Sequence, residues 1–442
     1  MKFFKKTKSL KSACLLMLML LILPLQMLAA ELGEAGKRLA ALPGVSKVEP
    51  LQSTCFPEKY VFFIKQQLDA KNPQAGQFEQ RVVLCHRGFD RPTVLVTEGY
   101  DANYALHEGY IEELSKLFNT NIITVEYRYF DQSMPSPCNW DYLTVENSLY
   151  DLHHVNEALH ALYKGKWMAT GISKGGQTTM FYRSYFPNDV DISVPYVAPL
   201  NRSVEDGRHE KFLQYEVSTP ENRRKVLDFQ LLLFKRKAAL LPMLEKYCND
   251  KHYTFNAPLA EIYDFSVFEY AFAFWQWGSD IQKIPTREAD DLAVFKYWMS
   301  HCEPDYFSNQ NPYFSFDVQA AKELGYYGYY TKPFKRYLSI KTAKGYLHRL
   351  MLPKDAEEVN FSPVLYKHTV DFLSKNDPKM VYIYGSIDPW SASGIYGLPF
   401  TKNKQNLHVY MCPGGSHLTR ILSFPEPTRQ EIIDLIGRWL KE

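Results

Sequence analysis

Short apolar runs and helix-period stripes alternate along the first part of the chain. Runs rich in β-branched and aromatic residues predict strands, and the turn-forming stretch 69–73 joins the first two into a hairpin. Apolar residues spaced three or four positions apart predict helices. The predicted elements are strands at 59–64, 80–85, 93–97, 121–125, 166–170 and 191–197 and helices at 107–118, 143–163 and from 177 onward. This rhythm predicts a parallel sheet covered by helices on both faces.

The alternation stops after Pro199 and returns beyond Pro353. The intervening stretch is helical in pattern, rich in aromatic residues and leucine, and contains no run typical of a buried strand. The elements that follow are a helix at 363–373, strands at 380–384 and 407–411, and a closing amphipathic helix. We therefore predict an α/β core that is interrupted by a helical cap. The predicted parts are residues 31–200 for the first part of the core, 201–354 for the cap and 355–442 for the second part of the core.

The first thirty residues have a different character from the rest. They contain five lysines, no acid before Glu31, an apolar run at 15–25, and small residues at Ala29 and Ala30. This three-part pattern predicts a secretory signal peptide cleaved near Ala30, and hence export to the periplasm or the medium. An uncleaved membrane anchor is the alternative, but the apolar run is short for a bilayer span.

The composition indicates a globular protein, because 46% of the 442 residues are apolar and 15% are aromatic. Removal of the five N-terminal lysines leaves 46 basic and 49 acidic residues, a balance that does not favour a nucleic-acid partner. Export to an oxidising compartment predicts one to three disulfides, whose pairing stays open. The six cysteines beyond the signal peptide are Cys55, Cys85, Cys138, Cys248, Cys302 and Cys412.

A candidate nucleophile lies between a predicted strand and a predicted helix. Residues 171–175 read Gly-Ile-Ser-Lys-Gly, the G-x-S-x-G pattern in which a serine occupies a sharp strand-to-helix turn. Small flanking residues are needed there because neighbouring backbone passes close to the turn. Ser173 is therefore the predicted nucleophile, and an ordinary glycine-rich turn is the alternative.

A serine nucleophile needs a histidine base and an acid that orients it. Asp388 follows the strand 380–384 and His417 follows the strand 407–411, so both lie where active-site groups of parallel sheets collect. The chain order serine, acid, histidine is that of the α/β-hydrolase fold. We therefore predict an α/β-hydrolase sheet with a large inserted helical cap domain. The alternatives are a turn-forming aspartate and a surface histidine.

The predicted oxyanion hole consists of backbone N–H groups. One belongs to Lys174, the residue after the nucleophile, and the second comes from Gly99 or Tyr100 after an early strand.

No cofactor or metal is expected. His153, Glu157 and His160 share a helical face, but a solvated helix flank explains them better than a metal site. The string that begins at His107 fails the H-E-x-x-H pattern because its fifth residue is Ile111.

These motifs belong to longer strings that resemble one family, the secreted bacterial tripeptidyl aminopeptidases. They are related more distantly to prolyl carboxypeptidase and the dipeptidyl peptidases. The matching strings are 80–82, 97–100, 126–130, 170–176, 185–187, 196–199 and 274–278. The sequence departs from the family pattern at Ala70 and Tyr127, where relatives carry histidine.

The resemblance implies a serine exopeptidase that removes tripeptides, and in some members tetrapeptides, from short peptides with a free N-terminus. Some members favour proline before the cut. Such an enzyme must hold a protonated amine, which a desolvated carboxylate does best. The candidate carboxylates are Glu98, Glu126 and Glu269. Trp275 and Trp277 form either a wall of the substrate pocket or part of the cap core.

Two alternative functions remain open at this point. A carboxylester hydrolase would use the same triad but would be indifferent to a free amine on its substrate. A non-catalytic binding protein on a hydrolase scaffold would not react with a fluorophosphonate probe.

Overall fold

The computed structural model describes residues 31–356 and 358–442. The signal-peptide prediction falls on residues 1–30, which lie outside the described residues. In the described ranges, no helix combines the length and the apolar character needed to cross a membrane.

A nine-stranded sheet forms the centre of the molecule, in the spatial order β1-β2-β3-β5-β4-β6-β7-β8-β9. The strands are β1 (Val45–Pro50), β2 (Glu58–Gln67), β3 (Gln77–His86), β4 (Thr93–Thr97), β5 (Asn121–Val125), β6 (Trp167–Ile172), β7 (Ile192–Tyr196), β8 (Met380–Gly385) and β9 (Leu407–Cys412). Neighbours from β1 to β5 pair antiparallel, and those from β5 through β4 to β9 pair parallel. Every strand that the sequence predicts is present.

Twelve α-helices occur in the described ranges. They are α1 (Glu34–Ala40), α2 (Glu113–Phe118), α3 (Val145–His160), α4 (Lys174–Tyr185), α5 (Gly207–Lys211), α6 (Pro220–Lys235), α7 (Lys237–Asp250), α8 (Leu259–Gln276), α9 (Asp291–Met299), α10 (Phe314–Gln319), α11 (Val364–Lys375) and α12 (Thr428–Trp439). Side chains of α1, α3, α4 and α11 join the core on one face of the sheet, and those of α2 and α12 join the core on the other.

The helix predicted at 107–118 begins only at Glu113, so its first half is wrong. Glu112 has an extended backbone, and its carboxylate accepts the N–H groups of Leu114 and Ser115. This side-chain cap satisfies N–H groups that have no partner inside the helix, and it fixes the start of the helix there.

The segment between β7 and β8 carries helices α5 to α11, and in the described residues it contains no strand. A large aromatic cluster forms its own core, which reaches residues that follow β5, such as Tyr127 and Phe130. The predicted fold class, an α/β-hydrolase sheet with a helical insertion, is confirmed. The boundaries at 201 and 354 remain a prediction.

The six cysteines are all free, so the prediction of one to three disulfides is wrong for the described residues. Burial raises the pKa of the Cys85 thiol to about 12 and that of Cys248 to about 11. Cys85 lies in the sheet core and Cys302 in the core of the insertion. These thiols therefore serve as small apolar core side chains.

A buried ion pair ties the chain after β5 to helix α3. The Arg128 guanidinium donates to both carboxylate oxygens of Asp151, at 2.6 and 2.7 Å. It also donates to the carbonyls of Gln67, Leu68 and Tyr142. Arg128 is 1% exposed and Asp151 is 2% exposed, so each charge depends on the other for compensation.

We expect Asp151→Asn to lower the free energy of unfolding by about 3–5 kcal/mol, because it leaves a buried guanidinium without a counter-charge. Urea unfolding of the protein measures the change. The control is Asp250→Asn, which breaks an exposed pair with Lys246 and should cost less than about 1 kcal/mol. Equal unfolding midpoints for the two variants would contradict the prediction.

Candidate active site

Ser173 occupies the sharp turn between β6 and α4, with φ of 59° and ψ of −119°. Two nearby positions, Gly171 and Gly176, have no room for a side chain. A Cβ on Gly171 would lie 2.3 Å from the carbonyl oxygen of Gly175, and one on Gly176 would lie 2.6 Å from that of Tyr196. The close packing holds a non-glycine residue at positive φ, a conformation that costs of order 1–3 kcal/mol. The turn presents the Ser173 side chain to a cavity.

His417 and Asp388 are joined by a hydrogen bond of 2.7 Å between Nδ1 and Oδ2. The other carboxylate oxygen, Oδ1, accepts the backbone N–H of Trp390 at 3.1 Å. Asp388 is fully buried and His417 is 5% exposed. Because Nδ1–H donates to the carboxylate, Nε2 is left as the nitrogen that can accept a proton.

The loops that carry these two residues pack directly against each other and against the insertion. A Cβ on Gly385 would lie 2.3 Å from the carbonyl oxygen of Gly415, so the loops after β8 and β9 are in backbone contact. The backbone N–H of His417 donates to the carbonyl of Gln276 at the end of α8, at 2.9 Å. The insertion therefore takes part in holding His417.

Ser173 and His417 line one cavity of about 1020 Å³, with Asp388 behind His417. In the described part of the chain, no hydrogen bond joins the Ser173 hydroxyl to His417. Hydrogen bonds between catalytic groups are often long before substrate binds, so this geometry is compatible with a nucleophile and its base.

The predicted oxyanion donors lie beside Ser173. Lys174 is the first residue of α4, where a backbone N–H has no acceptor inside the helix. The loop after β4 touches this turn, since a Cβ on Gly99 would lie 2.8 Å from the nitrogen of Gly175. The Gly99 N–H donates to the Glu98 carboxylate at 3.2 Å. The N–H of Tyr100 has no acceptor among the described residues, which makes it the available second donor.

Two of the three candidate carboxylates, Glu98 and Glu269, line the cavity. Burial raises the pKa of each to about 7, and hydrogen bonds oppose the rise. The two oxygens of Glu98 accept separately from Tyr104 and from the Gly99 N–H. In Glu269, by contrast, the hydroxyls of Tyr327 and Tyr329 both donate to Oε2, at 2.8 and 2.7 Å.

The third candidate, Glu126, does not reach the cavity. It is fully buried and paired with Arg81, and it accepts the Ser133 hydroxyl at 2.8 Å and the Ala102 N–H at 3.1 Å. The bond to Ala102 anchors the loop that follows β4. Glu126 therefore supports the loop that carries Gly99 and has no oxygen open to a substrate.

The two candidate tryptophans are separated by the end of helix α8. Trp275 is 5% exposed and lines a second cavity of about 440 Å³ within the insertion, so it does not belong to the cavity of Ser173. Trp277 is 52% exposed and lines the Ser173 cavity, with its ring centroid 6.1 Å from that of His417.

The sequence reasoning missed most of the acidic lining of this cavity. Seven acidic residues line the cavity, whereas only two of its lining residues, Lys174 and Arg420, are lysine or arginine. The seven are Glu98, Asp101, Glu112, Glu113, Glu269, Glu303 and Asp305. They come from four segments that lie far apart in the sequence, so no local pattern identifies them as one group. The string Tyr-Tyr-Gly-Tyr-Tyr at 326–330, which supplies both partners of Glu269, was a signal that could have been read.

The histidines considered as metal ligands have other partners. His153 Nδ1 lies 2.7 Å from Asp189 Oδ2, and the His153 ring stacks on Phe186. His160 packs on Trp167. In residues 31–356 and 358–442, no group of three or more acidic, histidine or cysteine side chains could hold a metal ion.

The mixed, mainly parallel sheet, the helical insertion and the glycine-flanked serine turn define an α/β hydrolase. The sequence comparisons identify the chain as a serine peptidase. Residues 31–429 match the model of the family described as PS-10 peptidase S37, and the chain belongs to this family. The resemblance stated from the sequence strings is thereby confirmed.

The chain is also similar to individual proteins, among them two sequences and one solved structure. The chain is 28% identical over 421 residues to the prolyl tri/tetrapeptidyl aminopeptidase of Streptomyces mobaraensis, a match that covers 91% of this chain and 84% of that one. It is 27% identical over 145 residues to a probable serine protease of Arabidopsis thaliana, covering 28% of this chain and 30% of the other. A solved structure, the proline iminopeptidase of Mycobacterium smegmatis, matches 89% of this chain and 99% of its own at 12% identity and a TM-score of 0.39.

Proposed function

We propose that the protein is an exported serine exopeptidase that releases tripeptides from the free N-termini of short peptides through an acyl-enzyme. The observation that carries the proposal is the carboxylate of Glu269, which has no cationic partner in the part of the chain that the structure describes. It lies in the wall of the cavity that also contains Ser173.

Ser173, His417 and Asp388 have the roles of a catalytic triad in this proposal. The Ser173 oxygen attacks the scissile carbonyl while His417 Nε2 takes its proton. The imidazolium then protonates the leaving amine, and Asp388 holds the ring and stabilises its charge. The N–H groups of Lys174 and Tyr100 bind the oxyanion. Water then enters, gives a proton to His417, and hydrolyses the acyl-enzyme to free the short peptide.

Glu269 is suited to bind the substrate amine. Two phenols donate to its Oε2, and no group of the described residues donates to Oε1. No lysine, arginine or histidine of the described chain pairs with it. A half-buried carboxylate that is largely desolvated is costly without a counter-charge, so a protonated N-terminus supplies what the protein lacks. The excess of acids in the cavity wall attracts the same cation.

The length of the released peptide and a preference for proline are supported by two further observations. The Streptomyces mobaraensis relative, whose name specifies prolyl tripeptides and tetrapeptides, aligns with 91% of this chain. The cavity also has a continuous aromatic wall, in which adjacent ring centroids of Tyr100, Phe316, Tyr326 and Trp390 lie 5.6 to 5.7 Å apart. Such rigid apolar faces suit the ring of a proline residue before the cut.

Tripeptides should appear only from peptides with a free N-terminus, because an acetylated N-terminus offers no charge to Glu269. The test uses peptides of five to eight residues in matched free and acetylated forms, with products read by mass spectrometry. The enzyme is expressed as the full chain and recovered from the periplasm and the medium. Its intact mass reports whether residues 1–30 have been removed.

Three outcomes decide between the candidate functions. Tripeptide products from free N-termini alone support the proposal. Equal cleavage of the acetylated peptides would show an endopeptidase and contradict it. Hydrolysis of p-nitrophenyl esters without cleavage of any peptide would assign the protein to the carboxylester hydrolases.

A further inference from the structure

The side chain of Lys174, the residue after the nucleophile, lies in an unusual environment for a lysine. It is 2% exposed. Its Nζ lies 3.4 Å from the ring centroid of Tyr127, 5.0 Å from that of Phe130 and 5.4 Å from that of Tyr100. No carboxylate of the described residues lies within ion-pair distance. A buried charge without an anion is costly, and three aromatic faces offset only part of that cost.

Lys174 Nζ donates one hydrogen bond, to the backbone carbonyl oxygen of Gly99. The absence of a side chain at Gly99 makes room for this contact. A Cβ on Gly99 would lie 2.7 Å from both Cβ and Cγ of Lys174, so the lysine stem passes where any other residue would have a side chain. The contact therefore depends on a glycine at 99 and a long cationic side chain at 174.

The carbonyl of Gly99 and the N–H of Tyr100 belong to the same peptide group. In a planar trans peptide these two bonds point in opposite directions. The Lys174 amino group donates to the carbonyl oxygen of Gly99, so the Tyr100 N–H of this peptide is directed away from the lysine. Tyr100 lies in the wall of the Ser173 cavity, and its N–H has no acceptor among the described residues. The N–H of Gly99 is already bonded to Glu98.

We propose that the Lys174 side chain is a positioning residue for the oxyanion hole, which holds and polarises the Gly99–Tyr100 peptide so that the Tyr100 N–H binds the oxyanion. This inference rests on the proposed function, because it takes Ser173 as the nucleophile. A charge-assisted bond to the carbonyl strengthens the N–H of the same peptide as a donor. Lys174 thus serves the oxyanion twice, through its own backbone N–H and through its ammonium.

A purely structural role, in which the lysine only fills the aromatic cage, is the competing explanation. Burial lowers the pKa of Lys174 well below its usual value, and the nearby Glu98 carboxylate opposes that shift. In the transition state, negative charge develops on the oxyanion, which the Tyr100 N–H binds. This charge favours the protonated form of Lys174. A cage filler would contribute equally before and during the reaction, whereas a positioning residue contributes more to the transition state.

The test is Lys174→Met, which keeps the length and the apolar stem but removes the donor and the charge. We expect kcat to fall about 10- to 100-fold, less than the loss of a whole oxyanion donor, with KM changed by less than about threefold. Binding of a peptide aldehyde, which forms a tetrahedral adduct with the nucleophile, should weaken by the same factor as kcat. Binding of the product tripeptide should be unchanged. Rates are expressed per active site, counted by the final stoichiometry of fluorophosphonate labelling.

The outcomes separate this inference from the proposed function. An unchanged kcat, or equal weakening of the aldehyde and the product, would overturn the positioning role. Should the wild type cleave esters but no peptide, the exopeptidase proposal fails. The role of Lys174 can then still be tested by comparing kcat for p-nitrophenyl acetate between the wild type and Lys174→Met. A wild type that does not label with fluorophosphonate would overturn both. A second variant, Tyr127→Leu, opens the cage but keeps the lysine bond to Gly99, and its kcat should fall less than that of Lys174→Met.

Discussion

Replacement of Ser173 by alanine should lower kcat/KM by about 10⁴- to 10⁶-fold, because the variant lacks the oxygen of the proposed nucleophile. The free energy of unfolding should change by less than about 0.5 kcal/mol. The Ser173 hydroxyl makes no hydrogen bond within the described part of the chain, so its removal leaves no buried partner unsatisfied. Alanine adopts the same positive φ at a similar cost, so the turn keeps its shape.

The measurement compares kcat/KM for the best tripeptide-releasing substrate between the two enzymes, with thermal unfolding as the check on the fold. The matched control is Ser300→Ala, which removes a hydroxyl from the same cavity wall. The Ser300 hydroxyl donates to the carbonyl of Tyr297, and its loss should change kcat/KM less than about threefold. If the Ser173 variant keeps more than about one hundredth of the activity, another group must be the nucleophile.

The sheet could be predicted from the sequence because its strands are buried on both faces. Strands such as β4 and β5 read as continuous apolar runs bounded by turns, which is a local signal. Strand β1 was missed because Val45–Pro50 lies at the sheet edge and is largely exposed, so it has no apolar run. The start of α2 was misplaced because a side-chain cap at Glu112, and not the apolar period, sets it.

The residues of the proposed triad could also be predicted, because each is marked by its local context. A glycine-flanked serine between strand and helix, and two polar residues that directly follow strands, occupy positions that the topology brings to one edge of the sheet. Nothing comparable marks the residues that contact the rest of a substrate. Part of the cavity wall comes from the helical insertion, whose packing on the sheet has no signature in the sequence.

The three candidate glutamates illustrate this limit. Glu126 and Glu98 both follow sheet strands and are equally plausible in sequence, yet Glu126 is neutralised by Arg81, a residue 45 positions earlier. The two tryptophans differ in the same way. Trp275 and Trp277 are two positions apart, a rotation of about 200° around a helix, so one is directed into the insertion and the other into the cavity. Only the three-dimensional arrangement decides between them.

Glu269→Gln should reduce kcat/KM for peptides with a free N-terminus by about 10²- to 10³-fold, the effect expected when a desolvated charge pair loses one partner. The fold should persist, because the amide oxygen can accept from Tyr327 and Tyr329 as Oε2 does. The measurement uses a tripeptide p-nitroanilide and its des-amino analogue, and reports the ratio of the two kcat/KM values. The ratio should fall from a strong preference for the amine to near unity.

The same ratio of kcat/KM values should depend on pH through Glu269. With its pKa raised to about 7 by burial, the carboxylate is ionised only above that pH, so the preference for the amine should rise as pH increases through about 7. It should decline again above about 8, where a peptide N-terminus loses its proton. Any pH dependence that the two substrates share cancels in the ratio. The variant should show a flat profile, whereas Glu98→Gln, which alters an acid whose oxygens are both occupied, should keep the rise. A preference that survives in Glu269→Gln and disappears in Glu98→Gln would move the amine site to the loop after β4.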